Sequence, residues 1–80
     1  MITVYAIYGK DYDIIYVGLT NNLERRISEH KRGHNKSTKR FKDITLLYTK
    51  IFDNYKSARK EEKRLKAGQG KRFLRTLIDN

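Results

Sequence analysis

The chain has 80 residues, no cysteine, and 19 Lys plus Arg against 9 Asp plus Glu, a formal net charge of +10. That length predicts one small domain spanning 1–80 with a modest core, since a chain of this size buries only about 60% of its unfolded surface. Without cysteine there is neither a disulfide framework nor a thiolate metal cage, and two histidines, His30 and His34, are too few for an ordinary histidine zinc site.

Residues 2–8, ITVYAIY, are β-branched and aromatic and predict a first strand. GKDY at 9–12 is a turn signal, and DIIYVGL at 13–19 predicts a second strand that pairs with the first as an antiparallel hairpin. With GKDY as a four-residue loop, Tyr8 faces Asp13 and Tyr5 faces Tyr16, which puts two phenols side by side on one face. A slip of one residue would part them.

Asn21 or Asn22 is placed to cap a helix running to about Lys31, with Gly33 ending it. Residues 32–42, RGHNKSTKRFK, combine turn formers with many bases and predict a basic loop. ITLLYTKIF at 44–52 predicts a third strand. Asp53 or Asn54 caps a second helix over about 55–66, and GQG at 68–70 is expected to break it. KRFLRTLI then predicts a short helix with Phe73, Leu74, Leu77 and Ile78 inward. The order β-β-α-β-α-α implies an α+β fold, a three-stranded antiparallel sheet flanked by helices.

Helix geometry separates the two adjacent arginines of the first helix. With Leu23 at 0° and 100° per residue, Ile27 falls at about 40°, Arg26 at about −60° and His30 at about −20°. Arg25 falls at about 200° and Arg32 at about 180°, so these two point to solvent. Arg26 and His30 lie one turn apart along the buried stripe and can act on one ligand. The bland alternatives are a satisfied core histidine and an arginine whose stem lies on the sheet while its head reaches water. In the second helix, with Ala58 taken as the origin, Tyr55 at about 60° and Leu65 at about −20° define with it the inward face. Glu62, at about 40°, falls inside that face and Glu61, at about −60°, at its margin. A carboxylate on an apolar face must be paired, metal-bound or protonated. The bland reading of Glu62 is an ion pair with Arg26 or a nearby lysine.

The charge is lopsided: residues 21–80 hold 18 of the 19 bases and 7 of the 9 acids. A polyanionic partner follows, nucleic acid being the commonest. The bases Arg32, Lys36, Lys39, Arg40 and Lys42 are the expected phosphate contacts. An anionic membrane surface fits less well, because no basic segment has a broad apolar face to insert. No apolar run approaches the ~18 residues of a membrane span, and the N-terminus has no signal-peptide layout, so a cytoplasmic protein is expected. Two phenols, a guanidinium, an imidazole and a carboxylate on inner faces suit phosphodiester chemistry. Arginine grips phosphate bidentately, glutamate holds Mg²⁺ or Mn²⁺ through oxygen, and a phenol beside cations is expected to have its pKa drawn down and act as a base.

These residues resemble the GIY-YIG nuclease family, in its small stand-alone form, over almost the whole chain. TVY at 3–5 stands where the family has GIY, and YVG at 16–18 where it has YIG. NNLERRISEHKRG and SARKEEKRLKAG resemble the two helices that follow, the second carrying the family's metal-binding glutamate. The resemblance implies catalytic roles for Tyr5, Tyr16, Arg26, His30 and Glu62, with Glu62 the ligand of a single divalent ion, Mg²⁺ or Mn²⁺, and with Gly18 as the motif glycine. It implies a metal-dependent DNA endonuclease of low sequence specificity, nicking or structure-directed, acting in repair or on a mobile element. Thr3 departs from the first motif glycine, and a family asparagine has no assignable position. RNA remains open as a substrate. A non-catalytic nucleic-acid-binding module of the same fold, its tyrosines stacking on unpaired bases, is the alternative, and a partner-binding protein is a further one.

Overall fold

The structure, a computed structural model, describes residues 1–32 and 43–78. The strands are β1 (Ile2–Gly9), β2 (Ile14–Thr20) and β3 (Ile44–Phe52), and the helices α1 (Leu23–Lys31), α2 (Tyr55–Lys66) and α3 (Gly68–Ile78). The sheet is antiparallel with β1 between β2 and β3. The expected α+β fold, a three-stranded antiparallel sheet with helices in the order β-β-α-β-α-α, is therefore the observed one.

As the central strand, β1 is buried on both faces. Ile2, Val4 and Ala6 project to one side and pack with Val17, with Ala58 and Leu65 of α2 and with Leu74 of α3. Tyr5 and Ile7, alternating with them, project to the other side and are also buried. On the β3 side the ladder skips Leu47, which gives β3 a bulge between the partners of Ala6 and Ile7.

The hairpin register differs from the expected one. The turn is Lys10–Asp13 rather than residues 9–12, with Tyr12 N–H donating to the Gly9 carbonyl and Asp13 N–H to that of Lys10. Asp13 supplies the left-handed residue, at φ 53°, a conformation that aspartate tolerates. Moving a four-residue turn by one position shifts both strand ends, so the pairing moves by two: Tyr5 faces Gly18, and Tyr16 faces Ile7. A shift of two preserves the face, so Tyr5 and Tyr16 still share one side as diagonal neighbours.

Asn22 caps α1, its side chain accepting from Arg25 N–H, and Asn54 caps α2 by accepting from Ser57 N–H. The inward faces of α2 and α3 need two corrections. Tyr55, expected inside, is 54% exposed, and Phe73 is 41% exposed; Leu74 is the buried anchor of α3. GQG does not form the break either. A single extended residue, Ala67, separates α2 from α3, and Gly68–Gly70 make the first turn of α3. A Cβ on Gly70 would fall on the Arg64 carbonyl oxygen and 2.5 Å from Leu65 Cα. The glycine is there for backbone contact between the helices. Among the described residues no helix is long and apolar enough to cross a membrane.

Candidate active site

Tyr5 is fully buried, yet its hydroxyl is not isolated. It lies 2.8 Å from His30 Nε2, which reaches it from the inward stripe of α1, and His30 is itself fully buried. The Tyr16 ring closes the group, with centroids 5.1 Å from His30 and 6.3 Å from Tyr5. Both tyrosines meet the imidazole at 61°, the edge-on orientation that the aromatic quadrupole favours. Gly18 makes this possible. A Cβ there would come within 2.7 Å of the Tyr5 hydroxyl oxygen and 3.1 Å of a Tyr16 ring carbon. The close approach at Gly18 is therefore made by the Tyr5 phenol across the hairpin.

Arg26 flanks the same phenol, as the helical wheel requires, whereas Arg25 and Arg32 are exposed. One terminal nitrogen of Arg26 donates to Glu29 at 3.4 Å, while its Nε is buried without a hydrogen-bond partner. An unmatched donor beside a phenol and an imidazole is suited to receiving an anion.

The electrostatics of the pair run against one expectation. Burial pushes the Tyr5 phenol above its ordinary value of 10, outweighing the Arg26 guanidinium beside it; the charges of Tyr16 and Glu62 push the same way as burial. The phenol is not drawn down into a standing base, because loss of water costs the phenolate more than the cation returns. His30 moves the other way. Burial, and then the charge of Arg26, hold it below 6.5, so the imidazole is neutral at neutral pH. A neutral ring with its proton on Nδ1 accepts from the Tyr5 hydroxyl at Nε2.

Glu62 is nearby but not in contact. Its charge acts on Tyr5, and its side chain is only 14% exposed, but its partners are Lys66 at 3.3 Å and Arg59 at 3.8 Å. The more deeply buried carboxylate of α2 is Glu61. With Tyr55 outside, the buried arc of α2 is centred between Leu65 and Glu61, which turns Glu61 inward and leaves Glu62 on the rim. Glu61 accepts two hydrogen bonds from Arg64, at 2.7 and 2.8 Å, and one from the Tyr48 hydroxyl at 2.5 Å. Arg64 and Tyr48 hold its carboxyl down at about 2 against the cost of burial, and burial together with Glu61 pushes Tyr48 up to about 12. The helical wheel placed Glu61 only at the margin and gave no sign of Tyr48. The contact joins β3 to α2, a tertiary pairing that the periodicity of neither element reveals.

Of the expected phosphate contacts, Lys36, Lys39, Arg40 and Lys42 lie outside the described residues, and Arg32 is the exposed C-cap of α1. Among the described residues no cluster of three or more His, Asp or Glu side chains is placed to hold a metal ion.

Comparison with known families gives the geometry its context. Residues 1–74 match the GIY-YIG catalytic domain. The chain belongs to the GIY-YIG family. Relatives include a UvrABC system protein C of Mycoplasma mycoides, 40% identical over 63 residues, where the match takes in 76% of this chain and 11% of that protein. A UPF0213 protein of Clostridium perfringens is 38% identical over 60 residues, 74% of this chain and 63% of that protein. A UPF0213 protein of Oceanobacillus iheyensis is 39% identical over 64 residues, 79% of this chain and 73% of that protein. The match thus spans about a tenth of the Mycoplasma protein and less than two thirds of the Clostridium one. No solved structure matches the chain significantly. GIY-YIG domains are nucleases.

Proposed function

We propose that this GIY-YIG domain is a divalent-metal-dependent endonuclease that hydrolyses DNA phosphodiester bonds with little sequence preference. The observation that carries the reading is the contact of Tyr5 with His30 and Arg26, a proton path and a fixed cation on one buried oxygen. An attacking water gives its proton to the Tyr5 oxygen while the Tyr5 proton passes to neutral His30 Nε2. This sequence suits a phenol held above 10 and an imidazole held below 6.5, because neither group has to carry charge before the reaction. Arg26 stabilises the charge that grows on the non-bridging phosphate oxygens, and its unmatched Nε is a further donor for them. Tyr16 orders the water against Tyr5.

Glu62 is the carboxylate that would hold Mg²⁺ or Mn²⁺, and the ion when bound supplies Lewis-acid stabilisation of the leaving oxygen. A lone carboxylate fits such an ion, because Mg²⁺ keeps most of its waters and takes one or two carboxylates plus substrate phosphate. DNA is the expected partner. The net charge of +10 supports a polyanion, and nuclease chemistry in the family supports DNA over other polyanions.

One observation favours a second reading, a nucleic-acid-binding module without catalysis: Glu62 already has two cationic partners, Lys66 and Arg59, that compete with a metal ion. Nicking of supercoiled plasmid separates the two. The nuclease reading expects nicking by the wild type in Mg²⁺ or Mn²⁺ and none in EDTA. Glu62→Ala should lose about two to three orders of magnitude, the scale of removing one transition-state partner. A wild type that binds plasmid and never nicks it, in either metal, leaves the binding module.

A further inference from the structure

Arg26 stands between two groups, and only one of them has a part in the proposed chemistry. On its inner side the Tyr5 hydroxyl is the group that acts most strongly on it. On its outer side Nη1 donates to Glu29 Oε1 at 3.4 Å. The helix sets this order. With Leu23 at 0°, His30 lies at about −20°, Arg26 at about −60° and Glu29 at about −120°, so the carboxylate follows the guanidinium round α1 toward solvent. Among the described residues Glu29 is the one ion-pair partner of Arg26. Its charge also reaches His30, where it opposes that of Arg26.

A phosphate meets the guanidinium from this outer side, because Tyr5 and His30 behind it are both fully buried. There it encounters a carboxylate, an anion whose two acceptor oxygens suit the same nitrogens. The Glu29 contact is built to give way. It uses a single nitrogen and is longer than the roughly 2.7–2.9 Å of a strong charge-assisted hydrogen bond. The two side chains are 37% and 35% exposed, a setting in which ion pairs hold weakly. The other arginine–glutamate pair at the same spacing shows the contrast. Arg64 grips Glu61 through two nitrogens, at 2.7 and 2.8 Å. In that pair the acid precedes the base along the helix, the more favourable order, whereas Arg26 precedes Glu29. The Arg26 Nε, meanwhile, is buried with no partner at all.

We propose that Glu29 is a place-holder for the substrate's phosphate: it occupies the outer side of Arg26 in the free protein, and the phosphate displaces it on binding. The proposal rests on the nuclease reading for the identity of that phosphate and adds how it gains the arginine. Glu29 touches no reacting atom and acts through Arg26 alone. Its effect falls on binding, since the carboxylate has left the guanidinium before any bond breaks. The competing role is a tether that aims Arg26 throughout the reaction, and its effect would fall on rate.

The test is equilibrium binding of a short DNA duplex in EDTA, where cleavage does not enter, read by fluorescence anisotropy. Glu24→Gln is the control: Glu24 is exposed on the same helix, at about 100° on the wheel, and its loss changes the net charge equally. Glu29→Gln should tighten binding by about twofold to fivefold more than Glu24→Gln does, the fold-change of releasing one partly exposed ion pair. In an Arg26→Gln background this excess should vanish, which marks action through the arginine. Single-turnover nicking at saturating protein should change by less than about threefold in Glu29→Gln. Equal gains from Glu29→Gln and Glu24→Gln would overturn the proposal, as would an excess that persists without Arg26. A Glu29→Gln variant of unchanged affinity whose rate falls by about tenfold or more would also overturn it and identify a tether. Binding and nicking are read separately. Coupling of Glu29 to Arg26 in a protein that never nicks upholds the place-holder and defeats the nuclease reading; nicking without that coupling does the reverse.

Discussion

Tyr5 and Gly18 face one another across the β1–β2 ladder, and the phenol occupies the space that a side chain at 18 would need. Gly18 therefore acts by the absence of a side chain. Gly18→Ala would set a methyl within 2.7 Å of the Tyr5 oxygen and force the ring off His30. The substitution should cost about 1–3 kcal/mol of stability, the usual range for overpacking a core, and more in turnover than in folding. Thermal melting and plasmid nicking on the same preparation check this; a variant that nicks at the wild-type rate would show that the Tyr5–His30 contact is dispensable.

The two arginines give the sharpest contrast. Arg26→Ala should lower turnover by about 10²–10³, as for one electrostatic donor to the transition state, with the fold intact because the side chain is 37% exposed. Arg25→Ala removes an exposed charge and should weaken DNA binding slightly without touching the chemistry. Single-turnover cleavage at saturating protein separates binding from chemistry. Loss of cleavage in Arg25→Ala with retention in Arg26→Ala would reverse the assignment of the two faces.

Much of this arrangement was legible because it depends on periodicity. The 3.6-residue repeat of α1 separated Arg26 and His30 from Arg25, and strand alternation kept Tyr5 and Tyr16 on one face even though the turn lay one residue further on. What was not legible depends on which apolar side chain wins a place in the core. Tyr55 counted as inward on the wheel, but at the first position of α2 its ring stays outside, and the helix settles with Glu61 inward. The Tyr48–Glu61 contact, 13 residues apart in sequence, followed from that rotation. For Tyr5, neighbouring charges alone do not set the phenol's pKa, because the cost of burying a phenolate outweighs the Arg26 cation beside it.

The buried imidazole makes both stability and turnover depend on pH. His30 is held below 6.5, by burial first and by Arg26 second. The unfolded chain therefore takes up a proton at a pH where the native protein does not. The sign is that stability is full above about 6.5 and falls as pH drops through the unfolded value toward the lower native one. Turnover should fall on the same side, because protonated His30 cannot accept from Tyr5. His30→Ala should flatten this acidic limb in both urea unfolding and single-turnover cleavage; a limb that persists unchanged assigns it to another group.

The Glu61 cluster works at the extremes. Its carboxyl is held at about 2 by Arg64 and Tyr48, so its contribution is complete above the ordinary 4.5 and is lost as pH falls from there toward 2. Tyr48, pushed up to about 12, contributes below 10 and loses that contribution as pH rises from 10 to 12. Tyr48→Phe removes one hydrogen bond to a carboxylate that keeps its Arg64 partners, and should cost about 1–3 kcal/mol, the scale of a hydrogen bond to a charged group. It should also shrink the alkaline loss, leaving the part that belongs to Tyr5, likewise held above 10. Urea midpoints from pH 7 to 11 measure both effects.

Gly70 sets the limit on how the two C-terminal helices can be altered. The atoms that a Cβ there would meet are the Arg64 carbonyl oxygen and the Leu65 backbone, and neither can rotate away as a side-chain tip can. Leu65 and Leu74, both fully buried, depend on this approach. Gly70→Ala must therefore push α3 off α2 and open the core between them, a cost of about 3 kcal/mol or more for combined overpacking and lost burial. Gly68→Ala is the control, since nothing lies within 4 Å of the position of its Cβ; it should be neutral or slightly stabilising through a better helix residue. Denaturant midpoints of the two variants should differ widely. Similar midpoints would mean that α3 is not held against α2 through this contact.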